Sequence, residues 1–215
     1  MDIISGGADG ARSLIVSTAE LAVREGMMLD KSLNFRDGAG VLSVMLVLLR
    51  DDGYREEWRE EDSTLILEGH DSVAEGAQGK VDDQLLMYAS GNATENGKFY
   101  KAANAYKDGL RGSPLQVQVY EKLDSGVWFD KGIFNLINAD YASDGTRKVA
   151  RFHLVPADAS LAERVSWCER MLPAAAKADA WKQSGGRCAM CRSEAGLHFV
   201  TNSEGLSELR CSAHF

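Results

Sequence analysis

Leu115-Gln116-Val117-Gln118-Val119-Tyr120-Glu121 alternates with a period of two, which places Leu115, Val117 and Val119 on one side of an extended strand. The segments around it repeat that pattern. Upstream, residues 42–49 (LSVMLVLL) form a continuous apolar run, the pattern of a strand buried on both faces, and residues 64–68 form a short second strand. Downstream, residues 126–129, 133–139 and 148–155 continue the series, with turns at Asp124-Ser125-Gly126 and Asp144-Gly145. A mainly antiparallel sheet or barrel is expected over about residues 42–155.

Helices lie beside that sheet. Ser17 and Glu20 have the spacing of a capping box, and Gly26 supplies a stop, so a short helix is expected over 18–25. Residues 96–108 (NGKFYKAANAYKD) place Phe99, Ala102, Ala103 and Tyr106 on one helical face. Beyond Pro156, Leu161, Val165 and Cys168 recur at near-helical intervals over 160–171, with Cys168 read as core packing. Pro173 interrupts this run and starts a second helix, which Gly185-Gly186 would end.

The length of 215 residues allows one domain with a core plus a small appendage. The expected division is 1–157, a helical connector over 158–186, and a cysteine-rich module over 187–215. With 45% apolar and 26% charged residues the chain reads as globular, and no apolar run is long enough to span a membrane. Residues 1–10 lack a basic region followed by an apolar stretch, so a cytoplasmic protein with no membrane partner is expected. Lys and Arg number 24 against 32 Asp and Glu, a net of −8, which argues against coating nucleic acid by bulk electrostatics and leaves room only for a local basic face.

Three of the four cysteines lie after residue 187. Cys188-Ala-Met-Cys191 is followed, after nineteen intervening residues, by Cys211-Ser-Ala-His214. Two donor pairs, each with a two-residue gap, are what a tetrahedral zinc site needs, because each tight turn aims two soft donors at one point. Cys188, Cys191, Cys211 and His214 are therefore the expected ligands of a structural Zn2+, with His198 as an alternative to His214.

Trp181-Lys182-x-x-Gly185-Gly186-Arg187-Cys188-x-x-Cys191, then Leu197-His198-Phe199 and Cys211-x-x-His214, resembles the HNH endonuclease module of bacterial modification-dependent nucleases. The resemblance implies a treble-clef-like zinc knuckle in which an Asp-His pair after the Leu-His-Phe element activates water. Here Val200-Thr201 stands at that place, the loop to Cys211 is short, and the sequence ends at Phe215 before a final helix, so an inactive HNH remnant is expected. Asn202 or His198 could serve instead if the register differs.

A wider resemblance covers about residues 41–155. Arg50-Asp51-Asp52-Gly53-Tyr54, Glu68-Gly69-His70-Asp71, Asp83-Gln84, Thr94-x-Asn96-Gly97-Lys98-Phe99, Val119-Tyr120-Glu121-Lys122 and Gly126-Val127-Trp128, in this order, are similar to SRA-like (YDG-type) domains that precede HNH modules. The resemblance implies an α+β, PUA-like curved β-barrel with flanking helices, whose concave face holds DNA and takes a flipped modified cytosine into a pocket.

A flipped base needs an apolar or aromatic sandwich and a polar group on its Watson-Crick edge. Asp51, Asp52, Tyr54 and Trp58 supply those types, and Leu67 stands where the family often has an aromatic residue. Backbone contacts fall to Lys98, Lys101, Lys107, Arg111, Arg147, Lys148 and Arg151, with Asn92 and Asn96 as neutral donors. Asp51, Asp52, Glu56, Glu57, Glu60, Glu61 and Asp62 concentrate acid between the two pocket strands, which would oppose a duplex. The expected function is a nucleoid-associated bacterial reader of 5-methyl- or 5-hydroxymethylcytosine in double-stranded DNA, alone or as a dimer. The alternatives are an active modification-dependent HNH endonuclease, and a regulatory protein-interaction module with a vestigial DNA pocket.

Overall fold

The computed structural model describes residues 14–29, 31–38, 40–48, 56–71, 82–157 and 169–214. In chain order the strands are β1 (Ile15–Ser17), β2 (Leu33–Asn34), β3 (Ser43–Val47), β4 (Glu56–Arg59), β5 (Thr64–Glu68), β6 (Leu115–Asp124), β7 (Val127–Ser143), β8 (Lys148–Pro156), β9 (Leu197–Thr201) and β10 (Ser207–Cys211). The helices are α1 (Thr18–Glu25), α2 (Glu95–Lys107) and α3 (Ala174–Ser184). The chain is thus a mixed α+β fold, mostly sheet.

Local chemistry sets the helix ends. At α1 the Ser17 side chain accepts from the Glu20 N–H at 3.2 Å while Glu20 Oε2 accepts from the Ser17 N–H at 2.7 Å, and Gly26 ends the helix at φ +67°. The Thr94 hydroxyl caps α2 by accepting from the Gly97 N–H at 3.0 Å. α3 begins after Pro173 and stops at Gly185, at φ +64°.

The main sheet runs β2-β3-β6-β7-β8-β5-β4, with β1 pairing the start of β7. All its pairs are antiparallel except β3 with β6. Among the described residues β2 and β4 end the path, and no pair joins them. One correction concerns β7. The segments expected as separate strands, 126–129 and 133–139, are one strand of 17 residues. It passes through Gly132 at φ +105°, and the register slips there, from Val119↔Gly132 to Tyr120↔Asp130, leaving Lys131 as the extra residue of a bulge.

The two faces of β6 divide the core. Leu115, Val117 and Val119 join Met45, Phe134, Phe152 and Leu154 with Phe99, Ala102 and Ala103 of α2 in the largest cluster. Tyr120, Val44 and Leu46 pack on the other side with Leu21 of α1, which confirms that β3 is buried on both faces. A third cluster unites Leu123 and Phe129 with Ala180 of α3 and with Phe199 and Leu209 of the β9-β10 hairpin, so the C-terminal module is seated on one end of the sheet. Among the described residues no helix is long and apolar enough to cross a membrane.

Candidate functional site

The curl of the sheet brings its distant strands together. β3 and β5 are separated in the order by β6, β7 and β8. Even so, Leu33 of β2, Met45, Leu46 and Val47 of β3, Leu48, and Leu67, Glu68 and His70 at the end of β5 line one small, partly open recess. Six of these eight are aliphatic or thioether side chains, and the two polar ones lie together on the β5 side. Such a recess offers apolar walls to a flat or small apolar group and a polar margin to read its edge.

That margin is held rigidly. Gln84, buried, donates from Nε2 to Gly69 O at 2.8 Å and to Glu68 Oε1 at 3.2 Å, while its Oε1 accepts from the Ala150 N–H at 3.0 Å. Asn96, at the start of α2, accepts at Oδ1 from the His70 N–H at 3.1 Å and donates from Nδ2 to His70 O at 2.6 Å. Arg147 lies behind them, 2.5 Å from Asp71 and 3.4 Å from Glu68.

The second constellation is at the C-terminus. The donor atoms of Cys188, Cys191, Cys211 and His214 all lie within 4.8 Å of one another. Cys191 Sγ is 3.6 Å from Cys211 Sγ, and His214 Nδ1 is 3.7 Å from Cys188 Sγ and 3.3 Å from Cys211 Sγ. Tetrahedral zinc with Zn–S of ~2.3 Å and Zn–N of ~2.0 Å would set S···S edges at ~3.8 Å and S···N edges at ~3.5 Å, within about 0.2 Å of these three separations, so the donors suit such an ion. The first knuckle is closed by backbone bonds from Arg192 N–H to Cys188 O at 2.9 Å and from Cys188 N–H to Ser193 O at 2.8 Å, with Arg192 at φ +65°. Burial opposes ionisation of Cys188, but the N–H groups of Cys191, Cys211 and Met190 bring its thiol down to about 5, the state a metal needs.

No family model and no curated protein matches this chain. Solved structures do. The SUVH5 SRA domain with hemimethylated CG DNA is 15% identical over 74% of this chain and 94% of that one, at a TM-score of 0.46. The same domain bound to fully hydroxymethylated CG DNA is 16% identical over the same shares, at 0.45. The modification-dependent TagI restriction endonuclease is 13% identical over 98% of this chain and 77% of that one, at 0.43.

Of the expected base-pocket residues, Asp51, Asp52 and Tyr54 lie outside the described residues, as does Cys168. Leu67 lines the recess. Trp58 does not line it; partly buried, it packs against the main core. Two expected backbone contacts are turned inward. Asn96 is buried and bonded to His70, and Arg147 is buried among Glu68, Asp71 and Asp144, so neither is placed to meet phosphate. Lys98 pairs with Glu95 at 2.5 Å and Arg111 is bidentate to Asp37 at 2.9 and 3.0 Å, which holds the Asp37 carboxyl below its usual range. Asn92, Lys101, Lys107 and Lys148 are exposed and Arg151 is half-buried.

The structure also brings together charges that the sequence presents as surface residues. Lys131, the bulged residue of β7, contacts Glu121 of β6 and lies 2.7 Å from Glu56 of β4. Lys177 of α3 contacts the other oxygen of Glu121 and stands 4.0 Å from the Phe129 ring centroid. Burial, with Glu121 close by, pushes the Glu56 carboxyl up. One residue of the acidic segment is therefore an internal partner, and Asp62 pairs with Arg59 at 3.4 Å. In the knuckle, His198 Nδ1 is 3.4 Å from Glu169 and its Nε2 is 3.1 Å from Ser212 Oγ.

Proposed function

We propose that this protein reads a modified cytosine in double-stranded DNA, taking the flipped base into the recess between β3 and β5. The observation that carries the reading is the recess itself: apolar residues from two strands distant in the sheet order, with a tied-down polar margin on one side. That is the chemistry a flipped base demands, since its faces are apolar and its edge is polar. Asp51, Asp52 and Tyr54, expected from the sequence as base-pocket residues, lie outside the described residues and follow Leu48 in the sequence. The exposed cations Lys101, Lys107 and Lys148 are the backbone contacts in this reading.

Zinc fits the C-terminal donors, and its part there is structural: Cys188, Cys191, Cys211 and His214 would staple the β9-β10 hairpin beside α3. The HNH-like module is an inactive remnant in this reading. Both ring nitrogens of His198 have neighbours, Glu169 and Ser212, and among the described residues the Cys3His group is the one cluster that could hold a metal ion.

A gel-shift panel of otherwise identical duplexes with unmodified, 5-methyl-, 5-hydroxymethyl- and glucosylated cytosine tests the reader. Preference for at least one modified duplex is expected, and equal or absent binding across the panel would sink it. Incubation of modified plasmid with magnesium or manganese tests the remnant, where specific cleavage dependent on the added ion would restore the endonuclease. X-ray fluorescence of the purified protein should find zinc at one per chain.

A further inference from the structure

We propose that His70 is the residue that reads the polar edge of the ligand in the recess, and that Asn96, Gln84 and Gly69 are positioning residues for it. This rests on the reading of the recess as a base pocket. β5 ends at Glu68; Gly69 still bonds to β8, whereas His70 lies beyond the strand pairing. They are nevertheless tied down more firmly than any loop of the sheet requires.

Both backbone groups of His70 bond to one buried side chain, the Asn96 amide, at 3.1 and 2.6 Å. Both backbone groups of Gly69 are also engaged, its N–H donating to Ala150 O at 2.8 Å and its C=O accepting from Gln84 at 2.8 Å. Burying two primary amides is unfavourable unless their hydrogen bonds are made, and here all but the Ala150 N–H bond to Gln84 Oε1 are made to residues 68–70. The approach is close enough to dictate the residue at 69. A Cβ there would stand 2.6 Å from Asn96 Oδ1 and 2.8 Å from Gln84 Oε1, so only glycine lets the two amides converge. The outcome is a histidine whose backbone is fixed from α2, next to a glycine fixed by Gln84, and which lines the recess with Glu68.

An imidazole can donate and accept, so at the margin of an apolar pocket it suits the exocyclic amine, ring nitrogen or carbonyl of a cytosine edge. Preorganisation of this kind suits a binding residue, because a residue whose backbone is already fixed has less freedom to lose when the ligand arrives. The four-residue block Glu68-Gly69-His70-Asp71 and the distant Gln84 and Asn96 then have one shared purpose.

The test is fluorescence anisotropy of the full chain with the modified duplex it prefers and with the unmodified duplex, for the wild type, His70→Ala, His70→Gln and Asn96→Ala. His70→Ala should weaken binding of the modified duplex about tenfold or more while leaving the unmodified one within about twofold, because phosphate contacts are untouched. His70→Gln, which keeps a donor and an acceptor, should restore part of the preference, and Asn96→Ala should lower it with His70 intact. Thermal melting of each variant separates loss of reading from loss of fold. If the wild type discriminates and His70→Ala discriminates equally, the assignment of His70 falls and the reader stands. If the wild type shows no preference, the reader falls and takes this assignment with it.

Discussion

The main core cluster draws sixteen buried side chains from six strands and α2, whereas the hairpin β9-β10 contributes Phe199 and Leu209 and otherwise depends on four donor atoms drawn together at Cys188, Cys191, Cys211 and His214. In the sheet, stability is spread over many contacts, and no single side chain carries the fold. In the knuckle there is little apolar surface to share, so a metal held by these four donors would concentrate the stabilisation. Between them lies a buried ionic joint, Glu56-Lys131-Glu121-Lys177, through which α3 is fastened to the sheet.

The most severe way to break this contrast is to remove the metal. Structural zinc contributes an apparent ~10–16 kcal/mol in small modules, so chelation or Cys188→Ser should abolish hydrogen-exchange protection over 188–214 while β6, β7 and β8 stay protected. Simultaneous loss of protection in the sheet would show that the two regions fold as one. On the sheet side, Phe152→Ala truncates a fully buried ring and should lower stability by about 3–5 kcal/mol in chemical denaturation, with zinc content unchanged.

The joint gives a sharper cut. Lys177→Ala leaves Glu121 with one cation and should cost about 3–5 kcal/mol, felt first as proteolytic exposure of α3. It also has a pH signature. Burial holds Lys177 down to about 8, below the ~10.4 of a free lysine. Between those values the unfolded chain keeps a proton that the folded chain has released, so this residue makes stability rise with pH from 8 towards 10. Unfolding midpoints of wild type and Lys177→Met at pH 8, 9 and 10 should differ in slope by that contribution, and identical slopes would remove Lys177 from the account. The smallest effect belongs to the helix cap: Ser17→Ala should cost about 1 kcal/mol in global stability and leave both the knuckle and the recess unchanged.

How much of this is legible in the sequence depends on how local the cause is. α1 occupies the expected residues 18–25 because Ser17, Glu20 and Gly26 specify its ends within a few positions, and β5 occupies 64–68 because its apolar run is bounded on both sides. The thiol and imidazole pairs are readable for the same reason: each knuckle is a tight turn. β7 was hidden because a glycine between two apolar runs looks like a break, whereas Gly132 serves a bulge inside one strand. The burial of Lys131 and Lys177 was hidden because a lysine in sequence gives no sign that a carboxylate on another strand will meet it.

The same division holds for the candidate sites. The sequence alone determined that the chain is mostly sheet, that helices at 18–25, 96–108 and after Pro173 accompany it, and that four C-terminal donors come in two pairs, since periodicity, capping and turn spacing act over a few residues. Only the tertiary structure decided that the sheet curls until β3 faces β5 across an apolar recess, that Asn96 and Arg147 turn inward, and that Asn96 and Gln84 converge on the backbone of Gly69 and His70. Those contacts join residues far apart in the chain, and their energy exists only once the strands between them have been laid side by side.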